Sequence, residues 1–375
     1  MGLLSPNGDE VVPTQVLKLT ETAQSFSFDG LGAHPVPSIL RGFSAPVIIE
    51  RDTSVDEKLH LLAHDTDPFN RWEAGRQLAK DEVIRSVFDA GGPSDAFFDA
   101  LGRMAGDDRL DPAFRAFALA LPSVDDLSQT LFEAGTTPDP VAVHAARGAV
   151  LAQIGDALKP TLTRLFDEMR VDGPYSPDAT SAGKRALRLK ALGLLAHGDA
   201  QELGKAHALF NETDNMTESL GAMSILIGGG QGEAAVATFY DRWKSNANVL
   251  DKWFAIKIAQ SPPETTVQVT QALTEHPDFH WRTPNRFRSV IGALGGNSAG
   301  FHDASGAGYR LVADWLIRLD PVNPQTAARM SAVFETWRRY DGDRQGMMRD
   351  ALASIRSAPD LSGDMREMVT RMLED

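Results

Sequence analysis

The sequence predicts a mainly α-helical chain, a superhelical array of antiparallel helix pairs (an α-solenoid) preceded by a small partial β-sandwich fragment. Three observations lead there. Period-2 alternation of polar and apolar residues is confined to residues 1–50, whereas a 3.6-residue period runs from Ser54 to the end. Helix starts recur through that second part as a capping residue followed by proline, whose missing N–H does no harm at the first helical position. The linkers between starts are short, rich in Gly, Asn, Asp and Pro, and free of strand patterns. Apolar stripes in such a chain are buried by stacking helix on helix. No tetratricopeptide or ankyrin consensus is visible, so the array is irregular, and a compact multi-helix domain is the alternative.

Taken in order, Gln15–Thr20 alternates imperfectly and Gln24–Asp29 alternates cleanly, and both read as half-buried strands. Pro46–Glu50 reads as a third, entered through the proline-rich His34–Pro37. Three strands cannot close a sandwich of about seven. Residues 1–50 are therefore expected to be a partial Ig-like β-domain whose other strands lie outside this chain, and residues 51–375 a helical domain. Helices are expected to start at Asp67-Pro68, Asp111-Pro112, Asp139-Pro140, Thr283-Pro284 and Asn323-Pro324. Asn215 with Glu218 forms a capping-box variant, and Ser362 opens the last helix. Phe287, Val290, Ile291 and Leu294 give the i, i+3, i+4, i+7 stripe of a helix over 284–295, and a further helix is expected over 323–340.

A length of 375 residues suits two to three domains or one long array. The formal charge of −14 repels phosphate backbones and anionic lipid, which argues against nucleic-acid and membrane partners. With no cysteine, disulfides, thiolate zinc sites and a cysteine nucleophile are excluded. The N-terminus shows no basic stretch followed by an apolar core, and no apolar run approaches the ~20 residues of a membrane helix. A cytoplasmic location is expected.

Two histidine pairs have ligand spacing. His60 and His64 share a helix face, but Leu61 stands where a zincin carries its glutamate, so a helix-surface pair is expected. His276 and His280 are separated by Pro277 in a loop, a weaker pattern still. Gly228-Gly229-Gly230-Gln231-Gly232 lacks the Gly-Lys-Ser/Thr of a phosphate loop, and Gly295-Gly296-Asn297 closes a helix; both are helix punctuation. Gln325 and Arg329 lie one turn apart, opposite the stripe Ala327, Met330, Val333, Phe334 and Trp337. Arg288 sits at the margin of its own stripe. Arginines on a concave helical surface suit a peptide carboxylate, and plain solvation is the competing reading. Trp243 and Trp253 read as core.

The residues then carry a resemblance. His34–Val47 (HPVPSILRGFSAPV), Phe69–Ala74, Asn215–Thr217, Asp251–Phe254, Pro284–Ser289, Asn323–Gln325, Arg339–Asp341 and Leu361–Asp364 resemble, collinearly, the C-terminal portion of the bacterial aminopeptidase N family, zinc-dependent alanyl aminopeptidases of the gluzincin class. That resemblance implies part of a small β-sandwich followed by a helical superhelix that covers a catalytic domain and restricts access to a cavity. It implies peptide substrates, the parent enzyme's catalytic domain as partner, and zinc in the parent. It also implies that Arg288, Gln325 and Arg329 face the cavity and contact the distal part of a peptide. The family's His-Glu-x-x-His and Gly-x-Met-Glu-Asn do not occur here, so no catalytic or metal residue is assigned and the chain alone is expected to be inactive. A free-standing helical scaffold binding a peptide or protein on its concave face is the alternative.

Overall fold

A computed structural model describes residues 1–47, 49–88 and 91–374. The chain is mainly α. Three short strands, β1 (Gly2–Leu4), β2 (Glu10–Val12) and β3 (Val36–Ser38), form an antiparallel sheet in the order β2-β1-β3. β1 is its buried centre, with Leu3 opposite both Val12 and Pro37. Pro37 is tolerated because β3 is an edge strand, where a missing N–H breaks no second ladder.

These strands are not the expected ones. Residues 15–20 and 24–29 form no ladder, and Val16 and Leu19 are 80% and 74% exposed. Alternation encodes extended backbone, but a strand also needs a hydrogen-bonded neighbour, and that choice is not local. In Pro46–Glu50, Ile48 lies outside the described residues and the other four are irregular. Leu40, Gly42 and Phe43 all have positive φ, at 58°, 62° and 54°. Buried Arg41 holds this strained turn by donating to Ser38 Oγ at 2.7 Å and to Asp65 Oδ1 at 3.1 Å, and it also pairs with Glu10.

From Val55 every regular element among the described residues is helical: α1 (Val55–His64), α2 (Pro68–Val87), α3 (Asp95–Gly106), α4 (Pro112–Ala118), α5 (Val124–Glu133), α6 (Pro140–Ala157), α7 (Lys159–Glu168), α8 (Ala179–Gly198), α9 (Leu203–Glu212) and α10 (Met216–Gly228). There follow α11 (Glu233–Trp243), α12 (Ala247–Ala259), α13 (Thr266–Thr274), α14 (Pro284–Phe287), a π-turn (Arg288–Gly292) and α15 (Ala293–Gly296). The chain ends with α16 (Ser298–Phe301), α17 (Ala307–Leu319), α18 (Pro324–Ser331), α19 (Gly342–Arg356) and α20 (Gly363–Glu374). All five capping-residue–proline pairs open helices. Asp67, Asp111 and Asn323 accept from backbone N–H groups at 2.9, 2.8 and 3.0 Å, while Thr283 makes no side-chain cap.

Two compact units emerge, Met1–Pro122 with Ala149–Asp199, and Ser123–Gly148 with Ala200–Asp375. In the first, α1 packs on α2 and α7 on α8; in the second, α9 packs on α10, α17 on α19 and α18 on α20. Consecutive helices pair in the first three cases, and alternate helices pack in the last two, as layers of a stacked array do. The second unit also ties back over long separations, because Arg339 donates to Asp125 Oδ1 at 2.6 Å across 214 positions.

Buried arginines join successive helices. Arg71 donates to the carbonyls of Leu62 and Ala63 at 2.8 Å each, and Arg115 to Ala105 O at 2.7 Å. Half-buried Arg344 on α19 donates to His302 O, just past the end of α16, at 2.8 Å. Each satisfies carbonyls that a helix end leaves without a partner.

Candidate functional site

The segment 284–296 is one continuous helical rod with a π-turn in its middle, not the uniform α-helix expected. Its stripe is as read: Phe287, Val290, Ile291 and Leu294 are all buried. Gly292 and Gly295 let the neighbouring helical segment close in, since a Cβ on Gly295 would stand 2.7 Å from Val333 Cγ2. Gly295-Gly296-Asn297 also closes the rod as expected, since α15 ends at Gly296, and Asn297 then caps α16 by accepting from Gly300 N at 3.2 Å.

Arg288 is the first residue of the π-turn and is exposed, donating to Asn285 Oδ1 at 3.2 Å. It lines an open groove of ≈ 400 Å³ with Asn248, Asp251, Lys252, Ala255 and Asn285. Behind the groove, buried Arg286 pairs with Asp251 at 2.5 Å and donates to the Asp278 carbonyl.

Gln325 and Arg329 are exposed on α18, while Thr326, Ala327, Ala328 and Ser331 face inward. The helix expected to reach residue 340 stops at Ser331 and tightens into two 3₁₀ turns, Ala332–Phe334 and Trp337–Arg339. Ser331 Oγ bonds back to Ala328 O at 2.7 Å, a local competitor of the helical ladder, and Trp337 Nε1 is drawn to Met372 O at 2.9 Å. The two rods touch: a Cβ on Gly292 would lie 3.5 Å from Met330 Cε and 3.7 Å from Arg288 Cβ.

The histidines divide differently from their spacing. His60 and His64 share a face with ring centroids 4.9 Å apart, but they seat the β1–β2 turn instead of lying open on the surface, since His64 packs against Gly8. Burial lowers the pKa of both, and His60 Nε2 is buried without a hydrogen-bond partner. His276 sits among Tyr240, Trp253 and Phe254, with ring centroids 5.3–5.4 Å away, and His280 is exposed. Trp253 is core, donating to Val236 O at 3.0 Å, whereas Trp243 is only half-buried.

A catalytic zinc takes three protein ligands and leaves one position open. Among the described residues no group of three or more His, Asp or Glu could hold a metal, so the side chains present do not fit one. The sequence reading placed Lys252 in the family-like segment Asp251–Phe254, but gave no role to it or to Asn248, one helical turn before it. The stretch Gly228–Gly232 is punctuation as read: Gly230 has φ +73°, and Gln231 N donates to Leu226 O at 2.8 Å.

The family described as "Domain of unknown function (DUF3458_C) ARM repeats" matches residues 55–374, and one described as "Domain of unknown function (DUF3458) Ig-like fold" matches residues 1–52. Aminopeptidase N of Caulobacter vibrioides is 39% identical over 381 residues, covering 100% of this chain and 43% of that protein. Aminopeptidase N of Escherichia coli is 32% identical, covering 99% of this chain and 44% of its own length. A crystal structure of Legionella pneumophila aminopeptidase A in complex with aspartic acid superposes with a TM-score of 0.87 at 30% identity, over 99% of this chain and 44% of that one. The chain thus spans less than half the length of these relatives. No helix among the described residues is long and apolar enough to cross a membrane.

Proposed function

The chain belongs to the DUF3458_C family of ARM-repeat domains and corresponds to the C-terminal portion of aminopeptidase N homologues, and from that premise we propose that it admits and holds peptide substrates for a zinc aminopeptidase without cleaving them. The observation that carries this reading is collinear identity of 32–39% along the whole chain. In this reading residues 1–50 are part of an Ig-like joint, and residues 51–375 cover the active site of a cytoplasmic enzyme and shape the cavity that selects substrates.

The roles of individual residues follow from their chemistry. Arg288 and Arg329 each present a planar fork of N–H donors that matches a carboxylate or a peptide carbonyl, and Gln325 adds an amide beside Arg329. Zinc would supply the activated water in the whole enzyme. No step of that chemistry is assigned to residues of this chain.

Two outcomes are expected. The purified chain with added zinc should not hydrolyse alanine p-nitroanilide, and turnover that copurifies with it and disappears in His60→Ala would overturn the reading. By isothermal titration the chain should bind short peptides, with Arg288→Ala/Arg329→Ala weakening binding at least about tenfold, the worth of one charge-assisted hydrogen bond. Unchanged affinity in the double variant would remove these arginines from the site.

A further inference from the structure

We propose that Trp281, Arg282, Trp315 and Arg318 form a docking site for an acidic peptide segment, recognised through its side-chain carboxylates. None of the four lines the groove of Arg288. The site needs neither end of a peptide, so it stands apart from the contacts proposed for Arg288, Gln325 and Arg329.

Two guanidinium groups rest on one indole. The Arg282 guanidinium carbon lies 4.5 Å from the centre of the Trp281 ring, and that of Arg318 lies 4.7 Å from it. The two charges are therefore within about 9 Å of each other, the sum of those distances. Arg318 also lies 4.7 Å from the ring of Trp315, three residues before it on the same face of α17. The two indole centres are 6.1 Å apart. Cation and π-face thus alternate through the cluster.

The platform is fixed before any ligand arrives. Trp315 is buried, and Phe279 stands edge-on to it at 5.3 Å. Trp281 N donates to Phe279 O and Thr283 N to His280 O, each at 2.9 Å, which winds the segment between α13 and α14 into successive turns. Side chains that would lose rotamer freedom on binding are already ordered by stacking.

Both arginines are exposed, and neither makes a hydrogen bond or an ion pair among the described residues. Exposed Asp314 stands one helical turn before Arg318, the spacing and order that favour an ion pair, yet no such pair forms. Stacking covers the faces of a guanidinium and leaves its N–H edge open. Neither the Trp281 nor the Trp315 indole N–H has a partner within the chain, and neither is among its buried unpaired atoms, so both reach solvent. These four side chains offer donors only.

A ligand must therefore bring acceptors, negative charge and apolar surface for the rings. Glutamate and aspartate side chains bring all three, because two oxygens match each arginine fork and the methylenes lie against the indoles. Two forks within about 9 Å suit two carboxylates on one segment, two residues apart in a strand or three to four apart on a helix. Inorganic phosphate has no apolar part, and a chain of net charge −14 repels its nearly two charges about twice as strongly as one carboxylate.

The test is isothermal titration of the chain with a peptide of alternating glutamate and serine, acetylated and amidated at its ends, against the same peptide with glutamine for glutamate. The glutamate peptide is expected to bind at least about tenfold tighter, to shift the tryptophan emission, and to lose that preference as sodium chloride is raised. Arg282→Gln and Arg318→Gln, with circular dichroism unchanged, should each weaken it about tenfold, while Arg288→Ala/Arg329→Ala leaves it unaltered. If Arg318→Gln disturbs the fold, the exposed Arg282→Gln decides alone. Equal binding of the two peptides, or glutamate binding that survives the arginine substitutions, overturns this site while the reading of Arg288 and Arg329 stands. Loss of binding in Arg288→Ala/Arg329→Ala moves the acidic peptide to those residues and overturns it too. Displacement of the glutamate peptide by an equal concentration of inorganic phosphate assigns the cluster to a free oxyanion and overturns the peptide assignment.

Discussion

Replacing Gly155 by alanine is expected to lower the melting temperature more than any other single methyl group added to the chain. Gly155 on α6 and Gly198 at the end of α8 are the point where two helix backbones touch. A Cβ on Gly155 would overlap the Leu194 carbonyl oxygen and stand 2.9 Å from Gly198 N. On Gly198 it would stand 2.9 Å from both Asp156 N and Gly155 C. These are backbone atoms, so no side-chain rotation relieves the clash and the helices must move apart. Overpacking a core costs about 1–3 kcal/mol where side chains can shift, and a backbone obstacle puts Gly155→Ala at or above about 3 kcal/mol. For a unit of this size that corresponds to a drop of roughly 6–12 °C by thermal denaturation. Gly148 lies on the same helix with nothing within 4 Å of its missing Cβ. There alanine should be neutral or stabilise by up to about 1 kcal/mol through its higher helix propensity. Equal melting temperatures for the two variants would show that the α6–α8 crossing is not the tight contact described.

How much of this was legible follows from what is local. Asp67, Asp111 and Asn323 announce helix starts because the cap, the proline and the backbone N–H that is satisfied lie within four residues. Gly230 announces a helix end for the same reason. The strands were misplaced because Gln24–Asp29 has the right alternation and no neighbour, whereas Gly2–Leu4 has neighbours on both sides and almost no pattern. The π-turn was illegible because one extra residue between Phe287 and Leu294 leaves all four stripe positions apolar and buried. Buried Arg71 and Arg115 were not anticipated because their partners are carbonyls, which every residue carries and no sequence pattern marks. At the candidate site, Arg288, Gln325 and Arg329 were found through side-chain chemistry and a family likeness. The place of Lys252 beside Arg288 emerged only when folding set α12 beside the π-turn.

Acid is expected to destabilise the second unit from pH 6.5 downward, with His302 as a principal cause. Its ring is 4% exposed, bonds Tyr309 Oη through Nδ1 at 2.8 Å, and lies 4.0 Å from the ring of Tyr340. Burial pushes its pKa from 6.5 down to about 3, helped by the positive charges of Arg344 and Arg339 and opposed by Asp341. The folded state therefore holds His302 neutral at a pH where the unfolded chain would protonate it. A lowered pKa of this kind contributes stability that is complete above pH 6.5 and is lost as the pH falls toward 3. Each pH unit inside that window costs about 1.4 kcal/mol, so this group alone removes about 2 kcal/mol between pH 6.5 and 5.0. In the same unit His144 and His276 are lowered by burial too and act in the same direction, as His60 and His64 do in the first. His302→Gln isolates the effect, because an amide keeps a polar contact to Tyr309 and takes up no proton. Urea unfolding at the two pH values should show the parent chain losing about 2 kcal/mol more than the variant, whatever stability the variant gives up at neutral pH. Identical losses would mean that His302 protonates as readily in the folded chain as in the unfolded one, and that its contacts with Tyr309 and Tyr340 do not depend on a neutral ring.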